Sequence, residues 1–282
     1  MITAAKHRTL RTMRERATLR GDAPRSAGQH YFIETEGLHS RLHFHNFYST
    51  FWPQVEGSAT AELRVYGADG RFAGSVEREL VRFGSLFIEV GDLLAELGRN
   101  DTEGTIAMDV RPPAGLEAHL ADLPAPEQVE FGSPFWMAYY DGEQNYMYVH
   151  AIDKLRGKIF GGDAVLRRVM GGHPPGGSTW RSWRLLDTEG ITELQIVVVN
   201  HGTATGIATV GVYGADGAAL WQRDLAFAPR ELHRVVVPRE ALSTWSEHTE
   251  HARIGVDPLL TANGKPYVLL RYEDGPLSLH HG

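Results

Sequence analysis

His39, Arg41, His43 and His45 fall at every second position of a short run that also holds Leu42 and Phe44. In an extended strand this alternation puts the three imidazoles and the guanidinium on one face and the apolar side chains on the other. Two imidazoles at i and i+2 can each turn a nitrogen towards one metal ion, the common use of His-x-His on a strand. His30, Glu34, Glu36 or His39 could add a third ligand, although no spacing enforces one. Two other readings stand beside the metal: the same face hydrogen-bonding an organic ligand, or a partly exposed strand face with no ligand at all.

The spacing Gly37-x5-His43-x-His45 resembles the first half of the cupin metal signature. That resemblance implies a metal-dependent enzyme on this part of the chain, with His43 and His45 holding one divalent transition metal. It covers fewer than ten residues. Where cupins place a glutamate soon after the second histidine this chain has Ser49 and Thr50, and the distal histidine motif has no counterpart.

The elements that must position these side chains are legible in a repeat. Tyr66-Gly67-Ala68-Asp69-Gly70 recurs as Tyr213-Gly214-Ala215-Asp216-Gly217, and Glu34-Thr35-Glu36-Gly37 answers to Asp187-Thr188-Glu189-Gly190. Between these anchors Leu42 to Asn46 lies over Ile196 to Asn200, so Val197 and Val199 stand where the first copy has His43 and His45. Histidine is therefore not demanded by the fold, and the second copy reads as an unembellished sibling. Asn46 maps to Asn200 with an offset of 154 and Tyr66 to Tyr213 with one of 147, leaving seven extra residues in the first copy. They fall in Phe47-Tyr48-Ser49-Thr50-Phe51-Trp52-Pro53, read as an aromatic loop near water. A second aromatic cluster, Trp136, Tyr139, Tyr140, Tyr146 and Tyr148, lies on a hairpin around Asp141-Gly142.

Rings of this kind recur at recognition surfaces, because they offer apolar area and a polar tip with little rotamer entropy to lose. The candidate ligand-binding set is Arg41, His43, His45, Tyr48, Phe51, Trp52, Trp136, Tyr139, Tyr140, Tyr148 and His150, facing a groove between the two units. The competing reading has both aromatic clusters welding those units together.

Short alternating segments separated by turn signals predict a mainly all-β chain: tandem antiparallel β-sandwich or jelly-roll-like domains from an internal duplication, with a few short helices. The expected division is a basic extension at 1–25, a first sandwich at 26–112, a Pro-rich linker at 113–132, and a second sandwich at 133–282 that begins with the aromatic hairpin. Gly171 to Gly177 lacks phosphate-loop spacing, and no Gly-x-Ser-x-Gly or His-Glu-x-x-His motif is present. Asp141, Glu143, His150 and Asp153 are the nearest approach to an acid/base cluster.

The chain has 282 residues, a net charge of −7 and no cysteine, which removes thiolate catalysis and disulfide scaffolds. Residues 1–25 carry seven basic against two acidic side chains, or +5, so the remainder carries −12 and repels phosphate backbones. No apolar run approaches the roughly 20 residues of a membrane span, and no apolar leader opens the chain, so cytoplasmic location is expected. Together these features predict a non-catalytic ligand-binding protein with no cofactor. Its expected ligand is a peptide or other extended molecule, in one version a precursor peptide presented to partner enzymes. The cupin-like metal enzyme, a carbohydrate-binding module and an assembly module that forms a homodimer are the alternatives.

Overall fold

The computed structural model describes residues 26–116, 135–141, 146–150, 182–187, 189–200, 205–245, 251–257, 266–273, 275 and 277–281. The basic extension, most of the linker, the cluster members Glu143 and Asp153 and the 171–177 loop lie outside the described residues, as do the side chains of Phe51 and His150.

The period-two pattern read from the sequence does form strands. The first half contains β1 (Ser26–Ile33), β2 (His39–His45), β3 (Ala59–Gly67), β4 (Phe72–Leu80), β5 (Ser85–Glu89), β6 (Glu103–Arg111), β7 (Phe135–Tyr140) and β8 (Tyr146–His150). They make two antiparallel sheets, ordered β5-β2-β7-β8 and β1-β6-β3-β4. The second half contains β9 (Ser182–Asp187), β10 (Ile191–Val199), β11 (Gly206–Gly214), β12 (Ala219–Phe227), β13 (Leu232–Val236), β14 (His251–Asp257), β15 (Tyr267–Tyr272) and β16 (Ser278–His281). Its sheets run β13-β10-β15-β16 and β12-β11-β14-β9. Strand for strand, the two orders are the same plan.

The agreement extends to local chemistry. β3, β4 and β5 map onto β11, β12 and β13 with one shift of 147 residues. The register slips at Val65/Tyr66 in one half and at Val212/Tyr213 in the other. In both Ala-Asp-Gly turns the aspartate Oδ1 accepts an N–H two residues on, from Arg71 and from Ala218. Gly70 and Gly217 close those turns at φ of 75° and 85°, where a side chain would be strained. Phe83 and Arg230 both sit at positive φ, 57° and 62°. Each half also anchors the end of its central strand with asparagine: Asn46 Nδ2 donates to Leu80 O at 3.0 Å, and Asn200 Nδ2 to Ala228 O at 2.8 Å.

Two expectations are corrected. The aromatic hairpin β7–β8 does not begin the second unit: β7 pairs with β2, His43 opposite Trp136, and completes the first half's sheet. Its inward residues Met137 and Tyr139 are needed to cover that sheet's apolar side and are fully buried. Nor is the aromatic insertion an exposed loop. Phe47–Phe51 is a short helix, with Asn46 Oδ1 accepting the Ser49 N–H at its start. Phe47 and Tyr48 are buried, Trp52 is half-buried against the core, and the Tyr48 hydroxyl donates to Val110 O at 3.2 Å.

The halves are joined through the second half's β13-β10-β15-β16 sheet. Leu194, Ile196 and Val198 point into that half's own core. Val197, Val199, Leu232, Tyr267, Leu269 and Leu279, which face the other way, belong to the first half's core. Around these residues the sheet is apolar on both sides because both sides are covered there. At the seam Arg234 donates to Glu103 Oε2 at 2.6 Å and to the Tyr31 hydroxyl at 3.1 Å. The Tyr139 hydroxyl donates to Tyr31 O at 2.6 Å, and the Tyr31 and Tyr267 rings lie 5.4 Å apart.

Candidate functional site

The β5-β2-β7-β8 sheet turns its second face to solvent. Antiparallel register sets the side chains there in rows. Glu89, Arg41, Ala138 and Tyr148 form one row, and Phe87, His43 and Trp136 the next. His39, Tyr140 and Tyr146 form a third, and His45 stands beyond the second. Phe87 is 66% exposed, Tyr148 58% and Tyr146 42%, high values for rings on a folded surface.

Ala138 explains how the rows meet. Its side chain is a single methyl and is fully buried, so Tyr148 on β8 can reach past β7 to His43 on β2. The His43 imidazole then stands edge-on between two exposed rings, 4.8 Å from Phe87 and 5.4 Å from Tyr148, both near perpendicular. Its Nε2 is shielded and meets no hydrogen-bond partner among the described residues. Burial lowers the His43 pKa and the nearby Arg41 charge lowers it further; burial alone lowers that of His45. Both shifts favour the neutral imidazole. His45 stacks on Trp136 at 5.7 Å, with 16° between the planes.

Arg41 organises the other end. Its guanidinium pairs with Glu89, lies 5.1 Å over the Tyr140 ring and 5.7 Å over Tyr146, and reaches the Tyr146 hydroxyl at 3.4 Å. Tyr140 donates to Glu89 at 2.6 Å; burial and that carboxylate push its pKa up to about 12, so the hydroxyl stays a donor. His39 Nδ1 lies 3.1 Å from Glu34, whose pKa burial raises. The face thus balances one cation against one anion in a field of rings, with further polar tips at its rim.

Of the candidate residues, Arg41, His43, His45, Trp136, Tyr140 and Tyr148 come together on this face. Tyr48, Trp52 and Tyr139 do not, because their rings fill the core. The expected groove between the units is replaced by a packed seam, and the ligand-facing rings lie on an open sheet. Tyr139 belongs to the seam and Tyr148 to the open face, so the hairpin does both jobs, one on each side. Sequence reading missed Phe87 and Glu89. The signal was available in Leu86-Phe87-Ile88-Glu89, whose alternation puts the aromatic and the acid on one side, the acid matching Arg41 across the strands.

Among the described residues no group of three or more histidine or acidic side chains is placed to hold a metal ion. Nor is any helix there long and apolar enough to cross a membrane.

No protein-family model matches the sequence. No curated protein is similar to it. Among solved structures the chain overlaps β-glucuronidase from Bacteroides uniformis over 95% of its own length and 27% of that protein's, at 12% identity and TM-score 0.19. For a β-galactosidase described as putative from Bacteroides fragilis the shares are 94% and 34%, with 14% identity and TM-score 0.20. For β-D-mannosidase from Dictyoglomus thermophilum they are 88% and 27%, with 12% identity and TM-score 0.16. The chain spans 27–34% of the length of these three proteins, and at such scores the overlap carries no weight for fold or activity.

Proposed function

We propose that the chain is a non-catalytic, polypeptide-binding protein whose first half engages its partner through the open face of the β5-β2-β7-β8 sheet. One observation carries this reading: in the second half the equivalent face, at the same register, is covered by polypeptide. Val197, Val199, Tyr267, Leu269 and Leu279 replace His43, His45, Trp136, Ala138 and Tyr148 and are buried against the first half. The fold thus already uses this sheet face for protein contact. In the first half these positions carry histidine, tryptophan and tyrosine beside the small Ala138, with Arg41 next to them, and such rings tolerate water and still give dense contact. β5 is an edge strand, with no strand on its outer side among the described residues, so an extended segment can add backbone hydrogen bonds beside Phe87.

Peptide-array binding followed by titration of the purified chain tests the proposal. Phe87→Ala and Tyr148→Ala are each expected to weaken binding about tenfold. Ile207→Ala, at a 68% exposed position in the other half, should leave it unchanged. Binding to oligosaccharide arrays with none to peptides would replace this reading with a carbohydrate-binding one.

A further inference from the structure

The contact between the halves has two parts that meet as donor and acceptor, and each half owns one copy of both. The acceptor is the Ala-Asp-Gly turn of the first half. Ala68 O accepts the Leu232 N–H at 2.9 Å, and the Arg230 guanidinium lies 4.7 Å from the Tyr66 ring centre. A Cβ on Gly70 would collide with the Pro229 carbonyl and come within 2.8 Å of Arg230 C and Glu231 N. The donor is the turn before β13, residues 228–231, continued along β13 by Arg234.

Both counterparts are exposed. The second half's acceptor repeats the first letter for letter, and Ala215, Asp216 and Gly217 face solvent. Around Gly217, among the described residues, an added Cβ would meet only Arg253 Nη2, at 3.8 Å, so none of them takes the place that residues 229–231 hold at Gly70. The first half's donor is Val81–Gly84 leading into β5. Val81, Phe83 and Phe87 are 55%, 61% and 66% exposed, an apolar stripe within seven residues. Phe83 shares the positive φ of Arg230, so the donor turn has the same backbone shape. By the same shift of 147 residues, Phe83 stands where Arg230 covers a tyrosine ring, and Ser85 stands where Leu232 donates its N–H.

Resting on the proposed reading of the open face, we infer that its partner is a second copy of this chain, docked head to tail. The 81–87 stripe of one copy sits on the exposed Ala215–Gly217 turn of the next, reproducing between chains the backbone contact already made within one. Such an interface is heterologous, and it does not consume itself in a closed pair unless the rotation happens to close. The exposed apolar stripe is thereby covered.

Sedimentation of the full chain over rising concentration tests this, with Phe83→Asp and Gly217→Asn. Aspartate and asparagine tolerate left-handed backbone, so each variant keeps its turn, and an unchanged near-ultraviolet circular dichroism spectrum checks the fold. The parent chain is expected to grow in mass with concentration and each variant to remain a single chain. An equimolar mixture should form a discrete pair, because each variant retains the end the other lacks. A parent that stays a single chain at every concentration, or variants that associate as the parent does, would overturn the inference. If the parent stays single while Phe87→Ala still weakens peptide binding about tenfold, the open face stands and only this occupant is wrong.

Discussion

Position by position, the open face of β2 and the covered face of β10 are the same surface under two conditions. Where the second half places Val197 and Val199 against its neighbour, the first half presents His43 and His45 to water. Where Arg234 is spent on Glu103 and Tyr31, Phe87 stands exposed. The difference teaches that the valines are not a default from which the histidines departed. They are what this face becomes when another sandwich lies permanently on it. The histidines, tyrosines and tryptophan are what it becomes when it must be stable uncovered.

The comparison breaks first where a charge is introduced. Val197→Asp puts an unpaired carboxylate into the seam and should cost about 4 kcal/mol of unfolding free energy. His43→Asp, at the matching position beside Arg41, should stay within about 1 kcal/mol. Urea titration of the two variants measures both, and comparable losses would mean the faces are not in different environments. Next comes the seam ion pair. Arg234→Ala leaves Glu103 with little beyond the Tyr31 hydroxyl and should cost about 2 kcal/mol, against about 0.5 kcal/mol for Phe87→Ala by the same titration.

The shared scaffold supplies a control in which the halves should agree. Asn46→Ala and Asn200→Ala each strip a donor from backbone carbonyls in equivalent turns, with about 1.5 kcal/mol expected for either. A large inequality would show that one anchor has drifted in role. The smallest effect is electrostatic. His43 and His45 have folded pKa values below the ordinary 6.5, so just below that pH the unfolded chain binds protons that the folded chain refuses. Stability therefore rises with pH through that window and levels off above it. Melting temperatures on either side of pH 6.5 should show this slope, and His43→Gln/His45→Gln should flatten it.

Much of this was legible before any coordinates. The alternation from His39 to His45 gave a strand with its two faces correctly assigned, and the Ala-Asp-Gly turns joined the hairpins expected of them. The two offsets placed seven extra residues between Asn46 and Tyr66, the stretch in which the Phe47–Phe51 helix lies. Its burial was not legible, because aromatic residues read alike in a wet loop and in a helix capping a sandwich. What decides is the distant Val110 carbonyl that receives Tyr48. The valines of β10 misled for the same reason: their partner lies across the seam, in another part of the chain. The hairpin was assigned to the wrong half because strand pairing at long range leaves no local mark.

That last pairing bears on how the protein is made. β2 finds β5 soon after synthesis, with Leu42 opposite Ile88, but its other edge waits for β7, where His39 meets Tyr140 a full 101 positions later. Until β7 is made, one edge of this strand lacks its partner, and long-range closure of this sort is slow and prone to wrong partners. A fragment stopped at residue 112 would hold β2 and β5 without Met137 or Tyr139 to roof Leu42 and Phe44. The first half ripens only once the chain has run past residue 150.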